Sequence, residues 1–532
     1  MNSLLIIVIA FVLFFIGYKY YARKFERLWE VDPKRPTPAN TKFDGVDYVP
    51  ARNWLVLFGH HFASIAGAGP IIGPVIACVL WGWLPALIWI VVGTIFIGGV
   101  HDFGSLITSV REGGSSIAEI AQNTVSRRAK IIFSCFIWLA LVLVIAVFVY
   151  FCADTFVKEP KIVLPSLGLI PVAMVVGFML YHLRTNTILA TVIGLVLLVG
   201  LIFLGEIFPV NLPGNSLIIW SIVLLVYSYI ASILPVTILL QPRDYLSSFL
   251  LFAGLIFGYL GIFILRPSMS TGMYVSWKSQ EGLLWPMMCV TVACGAISGF
   301  HSLIASGTSS KQIATEADAK KIGYGGMVAE GVVAVLAIIA VTAGIRSTNL
   351  AATLKEMGPV RLFGEGYDGI AKPVLGPYGG FIAITILNAF ILTTLDTAAR
   401  ICRYITQELT GIKNRYFSTL LVVLAGGGLA LSGKWNKLWP AFGASNQLVA
   451  ALALIVLSAW LLCKHKTLRY TIIPAIFMII TTIAALVYQS INYFKGGNYG
   501  LLVISILLIF LGLFMVIEAR RIFKRGKLCQ KV

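Results

Sequence analysis

The chain has 532 residues, of which 58% are hydrophobic and 12% charged, with a mean hydropathy of +0.91. Charged residues make up about a quarter of an ordinary soluble domain, so these figures exclude a soluble globular protein; they equally exclude disorder, which requires low hydrophobicity. The formal net charge is +19, from 41 Lys+Arg against 22 Asp+Glu. In a soluble protein that excess would point to a polyanionic partner, so the question is where the charges sit.

A bilayer core about 30 Å thick needs about 20 apolar residues per helix, and about 15 such runs follow one another. They are 2–20, 54–80, 84–108, 131–152, 167–182, 187–206, 216–238, 247–265, 285–306, 326–345, 372–396, 417–432, 441–463, 470–490 and 500–518. The runs are too long for barrel strands and do not alternate. The expected fold class is an all-α polytopic membrane protein. The first run begins Met1-Asn2-Ser3 without a basic stretch, and no small-residue cleavage site follows Tyr21, so it reads as a retained span. Alternating the loops puts segments 19–53, 111–130, 182–186, 241–245, 311–325, 397–416, 464–469 and 519–532 on one side, with 30 of the 41 basic residues. The positive-inside rule then predicts an outer N-terminus and a cytoplasmic C-terminus. The excess charge favours anionic inner-leaflet lipid as the partner and leaves no call for nucleic acid.

Two runs differ from plain Leu/Ile/Val spans. The first reads GHHFASIAGAGPIIGPVIA over 59–77; the second reads CGAISGFHSLIASGTSSK over 294–311. Glycine and proline break helices, and at membrane depth a break survives only when packed in protein or facing a wet cavity. His61 precedes Gly67 by six residues and His301 precedes Gly307 by six. The loop alternation runs the two helices in opposite directions. Paired broken helices of opposite direction point to a transport site between inverted repeats. The bland alternative is close packing of small residues.

Ionisable groups at membrane depth are costly and mark function. His60 and His61 lie in the first broken helix, His301 in the second, His101-Asp102 near the inner end of the third span, and Glu330 a turn into the tenth. Their residue type allows proton coupling. Asp396 has two readings. It can pair with Arg400 four residues on, or it can join Thr393 and Thr394 in holding Na⁺ or a proton. Glu119, three residues after Ser116, reads as a helix-start residue. Asn446 and Gln447 in the thirteenth run either glue helices or line a path. Gly254-x-x-x-Gly258 permits close helix contact, in one bundle or between two subunits, and the oligomeric state stays open. The eight Cys are scattered without C-x-x-C and read as small buried hydrophobes, and H-E-x-x-H is absent, so neither a disulfide framework nor a zinc site is indicated. The glycines at 67–73 follow no strand and do not make a dinucleotide loop.

GHHFASIAGAGPIIGPVIA, SGFHSLIASGTSSKQI, TTLDTAARICRY and LWPAFGASNQLVAAL, in that order, resemble the carbon starvation protein A family over about Asn53–Leu462. The resemblance implies a bacterial inner-membrane carrier, induced on nutrient depletion, for peptides or pyruvate, driven by protons. It also implies the five-plus-five inverted-repeat fold of the LeuT and amino acid–polyamine–organocation carriers. On that fold the expected divisions are an N-terminal accessory helix and loop at 1–52, a first repeat at 53–206, an inserted helix pair within 207–284, a second repeat at 285–463 and accessory helices at 464–532. The expected substrate site is half-helix backbone at Gly67, Ala68, Gly69, Gly299, His301 and Ser302, where N–H groups suit a carboxylate. The expected coupling groups are His60, His61, His301 and Glu330 for protons, with Thr393, Thr394 and Asp396 as the ion site. No metal or cofactor is called for, H⁺ being the expected coupling ion and Na⁺ the alternative. A nutrient sensor without transport, or a membrane-embedded metallo-hydrolase, are the rivals from other classes.

Overall fold

The structure is a computed structural model that describes residues 2–45, 47–183, 185–235, 238–346, 349–431 and 435–525. In chain order the principal helices are α1 (Ser3–Leu28), α2 (Trp54–Ile65), α3 (Gly69–Leu80), α4 (Trp83–Arg111), α5 (Arg127–Lys158), α6 (Val163–Tyr181), α7 (Thr187–Ile207), α8 (Ser216–Ile233) and α9 (Leu240–Leu265). They continue as α10 (Ala293–Ala296), α11 (Gly299–Gly307), α12 (Gly325–Gly344), α13 (Leu350–Leu375), α14 (Gly379–Thr410), α15 (Arg415–Ala430), α16 (Trp435–Cys463), α17 (Arg469–Lys495) and α18 (Tyr499–Arg525). Asparagine and serine in the short turns set the starts. Asn53, Ser126, Asn215, Asn349 and Asn414 each accept a backbone N–H of the helix that follows, satisfying donors that a helix end leaves free. Ser116 and Glu119 form a reciprocal capping box at Ile117–Thr124, as their spacing predicts.

Among the described residues twelve helices are long and apolar enough to cross a membrane, thirteen when α2 and α3 are taken as one bent span. The expected count of about fifteen is therefore reduced. The run at 285–306 is cut into short pieces, and the run at 417–432 yields the 16-residue α15. The helix set makes this a multi-pass membrane protein. α5, α12 and α16 are largely buried, whereas α7 and α18 turn rows of large apolar side chains outward. The pair at 216–265, expected as an insertion, sits inside the bundle: α8 lies against α5, α14 and α15, and α9 against α2, α13 and α14. The pair α6–α7 lies at the edge, packed on itself, on α9 and on the α14 residue Ala389. Gly254 and Gly258 receive Ile386, Tyr367 and Leu336 of the same chain, so that motif serves packing within one bundle. Six cysteines are free; Cys463 is disulfide-bonded, against expectation, and Cys529 lies outside the described residues.

The loops counted as basic meet at one end of the bundle. Glu316 accepts Arg35 Nη1 at 3.0 Å and Arg111 Nε at 2.7 Å. Lys42 donates to the Gly113 carbonyl, Asn40 to that of Ala314, Ala51 to that of Gln312, and Tyr404 to Asp47. Lys466 pairs with Glu30. The described residues of 29–53 thus form a strap over this basic face.

Candidate functional site

Both broken helices are present. α2 ends at Ile65, the chain unwinds over 66–68, and α3 resumes with a bend of 46°. Pro70 stands in the first turn of α3, where its missing N–H removes no hydrogen bond. The second break is at Ile297 and Ser298, both extended, between α10 and α11. A Cβ on Gly73 would lie 2.3 Å from the Thr291 carbonyl oxygen, and one on Gly69 2.3 Å from Cys294 Cβ. Only glycine lets the halves of the two broken helices that lie away from the basic face touch. α2 and α11 form the halves toward the basic face, joined by His61 Nδ1 and Ser309 Oγ at 2.7 Å. The paired His-to-Gly spacing does not align the breaks, however. Gly67 lies at the first break, whereas Gly307 closes α11 against Ile401.

The buried ionisable groups fall into two clusters. In the first, His301 of α11 stands between two acids. Its Nδ1 is 2.8 Å from Asp102 Oδ2 and its Nε2 is 2.9 Å from Glu330 Oε2. His101 Nδ1 holds the other Asp102 oxygen at 2.7 Å. The Nε2–Glu330 contact is an ion-pair approach off the hydrogen-bond line, so His301 Nε2 and both Glu330 oxygens lack a hydrogen-bond partner among the described residues, as does His61 Nε2 nearby. All five side chains are buried. His61 reaches the same helix as Glu330, since a Cβ on Gly326, one turn earlier in α12, would lie 3.2 Å from its Cδ2. Among the described residues no Lys or Arg is ion-paired in this cluster.

The second cluster sits beside the first break. Asp396 of α14 pairs with Arg243 of α9 and accepts the Tyr227 hydroxyl of α8. Arg243 also holds Asp244 at 2.9 Å, and Asp244 accepts His60 Nδ1 at 2.9 Å and the Ser64 hydroxyl at 3.4 Å. This overturns the pairing of Asp396 with Arg400: Arg400 instead donates to the carbonyls of Ala231 and Leu234 at the end of α8. Thr394 Oγ1 bonds to the Ser64 carbonyl at 3.4 Å and abuts Gly67, whereas Thr393 bonds within its own helix. A guanidinium beside Asp396 raises the cost of a second cation there.

The expected backbone site is divided. Gly67, Ala68 and Gly69 lie at the first break, buried against α14, α5 and α10. At the second, Asn446 Oδ1 accepts the Phe300 N–H at 2.9 Å, so the α11 N-terminus already has a resident acceptor. Ser302 donates to the Gly299 carbonyl in its own helix. Sequence reasoning missed Arg243, Asp244 and Tyr227 as site residues, having counted 241–245 as a loop. The available signal was five residues, charged yet flanked by apolar runs too close for a true loop. Cavities of about 660, 390 and 120 Å³ approach from the basic face; the smallest reaches His60 and Gln312, and none is lined by His301 or Glu330.

A family model described as Carbon starvation protein CstA matches residues 2–357 and 345–485. The peptide transporter CstA of Bacillus subtilis (strain 168) is 30% identical over 98% of this chain and 96% of that protein. The pyruvate/proton symporter BtsT of Escherichia coli (strain K12) is 31% identical over 91% of this chain and 81% of that protein. In structure, a mutant of the Eremococcus coleocola manganese transporter superposes with a TM-score of 0.57 over 90% of this chain and 99% of that one, at 13% identity, a likeness of fold alone. Among the described residues no group of three His, Cys, Asp or Glu side chains is set to hold a metal ion.

Proposed function

The chain belongs to the carbon starvation protein CstA family, a transporter and not an enzyme, and we propose that it takes up a peptide or pyruvate by proton-coupled alternating access. The reading rests on one observation: His301, on the broken second helix, stands between Asp102 and Glu330 in a buried cluster whose acids, among the described residues, meet only histidines as ion-pair partners. Burying an unbalanced charge is costly. Gain or loss of one proton changes the balance of this cluster, so the protonation state biases which conformation, sealed or hydrated, is favoured. Because His301 rides on a broken helix and Asp102 and Glu330 on α4 and α12, that bias acts on the elements that would move.

A five-plus-five repeat is supported by matching neighbours. α8 lies on α5, α14 and α15, and α15 on α14, α5 and α8; α9 packs on α2 as α16 packs on α11. The first repeat is then the broken pair α2–α3 with α4, α5, α8 and α9. The second is α10–α11 with α12, α14, α15 and α16, and α6–α7 is the inserted pair. The basic face is cytoplasmic by the positive-inside rule, in a bacterial inner membrane, with induction on nutrient depletion as in the family. Sodium coupling through Thr393, Thr394 and Asp396 has less support, because Arg243 already supplies the cation at Asp396.

The test is uptake of labelled pyruvate, dipeptides and tripeptides into proteoliposomes with and without a pH gradient. Wild-type protein accumulates one class only with the gradient. Glu330→Gln retains solute exchange and loses gradient-driven accumulation; accumulation at the wild-type level in this variant would sink the coupling assignment.

A further inference from the structure

A cavity of about 660 Å³ opens at the basic face and is lined among others by Asp47, Leu234, Arg400, Arg403, Tyr404 and Arg415. Arg400 and Arg403 are three residues apart on α14, on one side of the helix, and are 2% and 5% exposed. Neither makes an ion pair among the described residues, and the Nε of each has no hydrogen-bond partner. Arg403 lies 4.6 Å from the Tyr404 ring centroid. Arg400 Nη2 is held by the Ala231 and Leu234 carbonyls, which leaves two buried guanidiniums in one cavity wall without a carboxylate partner, a charge that an anion would offset. Among the described lining residues Asp47 alone is acidic, and it comes from the strap and not from a membrane helix; its Oδ1 accepts the Tyr404 hydroxyl at 3.1 Å. The strap therefore supplies a tethered carboxylate to a cavity built for one, and the volume suits a small organic acid or short peptide.

We infer that this cavity is a second carboxylate site, separate from the histidine cluster, in which Arg400 and Arg403 hold the substrate on its way to the cytoplasm and Asp47 competes with it. The identity of the ligand and the sidedness rest on the proposed function. An arriving carboxylate takes the paired N–H donors of the guanidiniums, Asp47 leaves Tyr404, and the strap segment carrying Asp47 loses one of its anchors.

The test uses the full chain in neutral-lipid liposomes, with the concentration dependence of transport measured from each face. Arg403→Gln and Arg400→Gln raise the half-saturating concentration at the cytoplasmic face by about tenfold, the scale of one charge-assisted hydrogen bond, and leave the outer face unchanged. Arg403→Lys falls between. Asp47→Asn lowers the cytoplasmic value. Equal changes at both faces, or none at the cytoplasmic face, overturn the inference. Thermal unfolding of the purified chain in neutral detergent gives a readout independent of transport. Acetate, pyruvate and glycylglycine raise the midpoint above chloride at matched ionic strength, more so in Asp47→Asn and not in Arg403→Gln. Inorganic phosphate outdoing every carboxylate, or a rise seen only with added anionic lipid, overturns the carboxylate assignment. If no solute is carried, the proposed function fails while Arg403-dependent stabilisation by carboxylates still upholds the site.

Discussion

Removing the guanidinium of Arg243 is the most informative perturbation of the second cluster. Arg243 is buried and is ion-paired with both Asp396 and Asp244. Arg243→Met keeps the volume and strands two carboxylates, of which Asp244 retains His60 and Ser64, and Asp396 only Tyr227. Breaking a buried pair by deleting one partner costs about 3–5 kcal/mol. Asp396→Asn keeps the shape and leaves Arg243 paired with Asp244, so its cost is about 1–3 kcal/mol. In the double variant Asp396 is no longer a stranded charge, so the two costs do not add. The expected coupling is about 1–3 kcal/mol, against about 0.6 kcal/mol for neutral hydrogen bonds between membrane helices. Unfolding in mixed micelles by titration with a denaturing detergent, read by circular dichroism, gives all four corners of the cycle. Additive costs would show that Arg243 and Asp396 do not act as a pair, and the argument against a sodium site at Asp396 would go with it.

Five further outcomes follow. Initial uptake rates agree in sodium and choline media; a steep sodium dependence would refute the role given to Arg243. Gly73→Ala, which sets a methyl 2.3 Å from the Thr291 carbonyl oxygen, lowers stability by about 1–3 kcal/mol. Gly428→Ala, with no atom within 4 Å of the new methyl, is neutral or stabilising by up to about 1 kcal/mol, and a thermal-shift assay separates the two. Ser116→Ala removes half of the capping box and costs about 1 kcal/mol in the same assay. Glu316→Gln weakens the ion pair that ties Arg35 of the strap to Glu316 and Arg111, and the strap becomes cleavable by protease from the basic face; unchanged protection would show that the backbone contacts to Ala314, Gln312 and Gly113 suffice.

Hydropathy made the spans legible because burial in lipid and burial in protein ask for the same residues, and that coincidence also hides which helices are central. Leu-rich α7 and Ala-rich α16 both read as spans, and only packing shows that one is edge and the other core. The broken helices were legible because proline and glycine act locally. Histidine flagged His61 and His301, but their shared spacing to glycine does not align the two breaks: the second sits at Ile297–Ser298, beside the expected Gly299, and is capped by Asn446, 146 residues beyond Phe300. Arg243 was hidden for a related reason. A charge beside a proline resembles a turn in sequence, and only its partners on α8 and α14 make it an interior residue.

The contacts of α1 bear on how the chain is made. Ser3 hydrogen-bonds the Pro267 carbonyl, 264 residues later, and the strap that follows α1 docks on Gln312, Ala314 and Glu316. At about 5–20 residues synthesised per second, α1 waits roughly 15–50 s in the bilayer before its partners emerge. Assembly of the basic face is therefore a late event in biogenesis. A truncated product that stops before Glu316 would present an undocked N-terminal segment, a handle by which quality control could tell unfinished chains from complete ones.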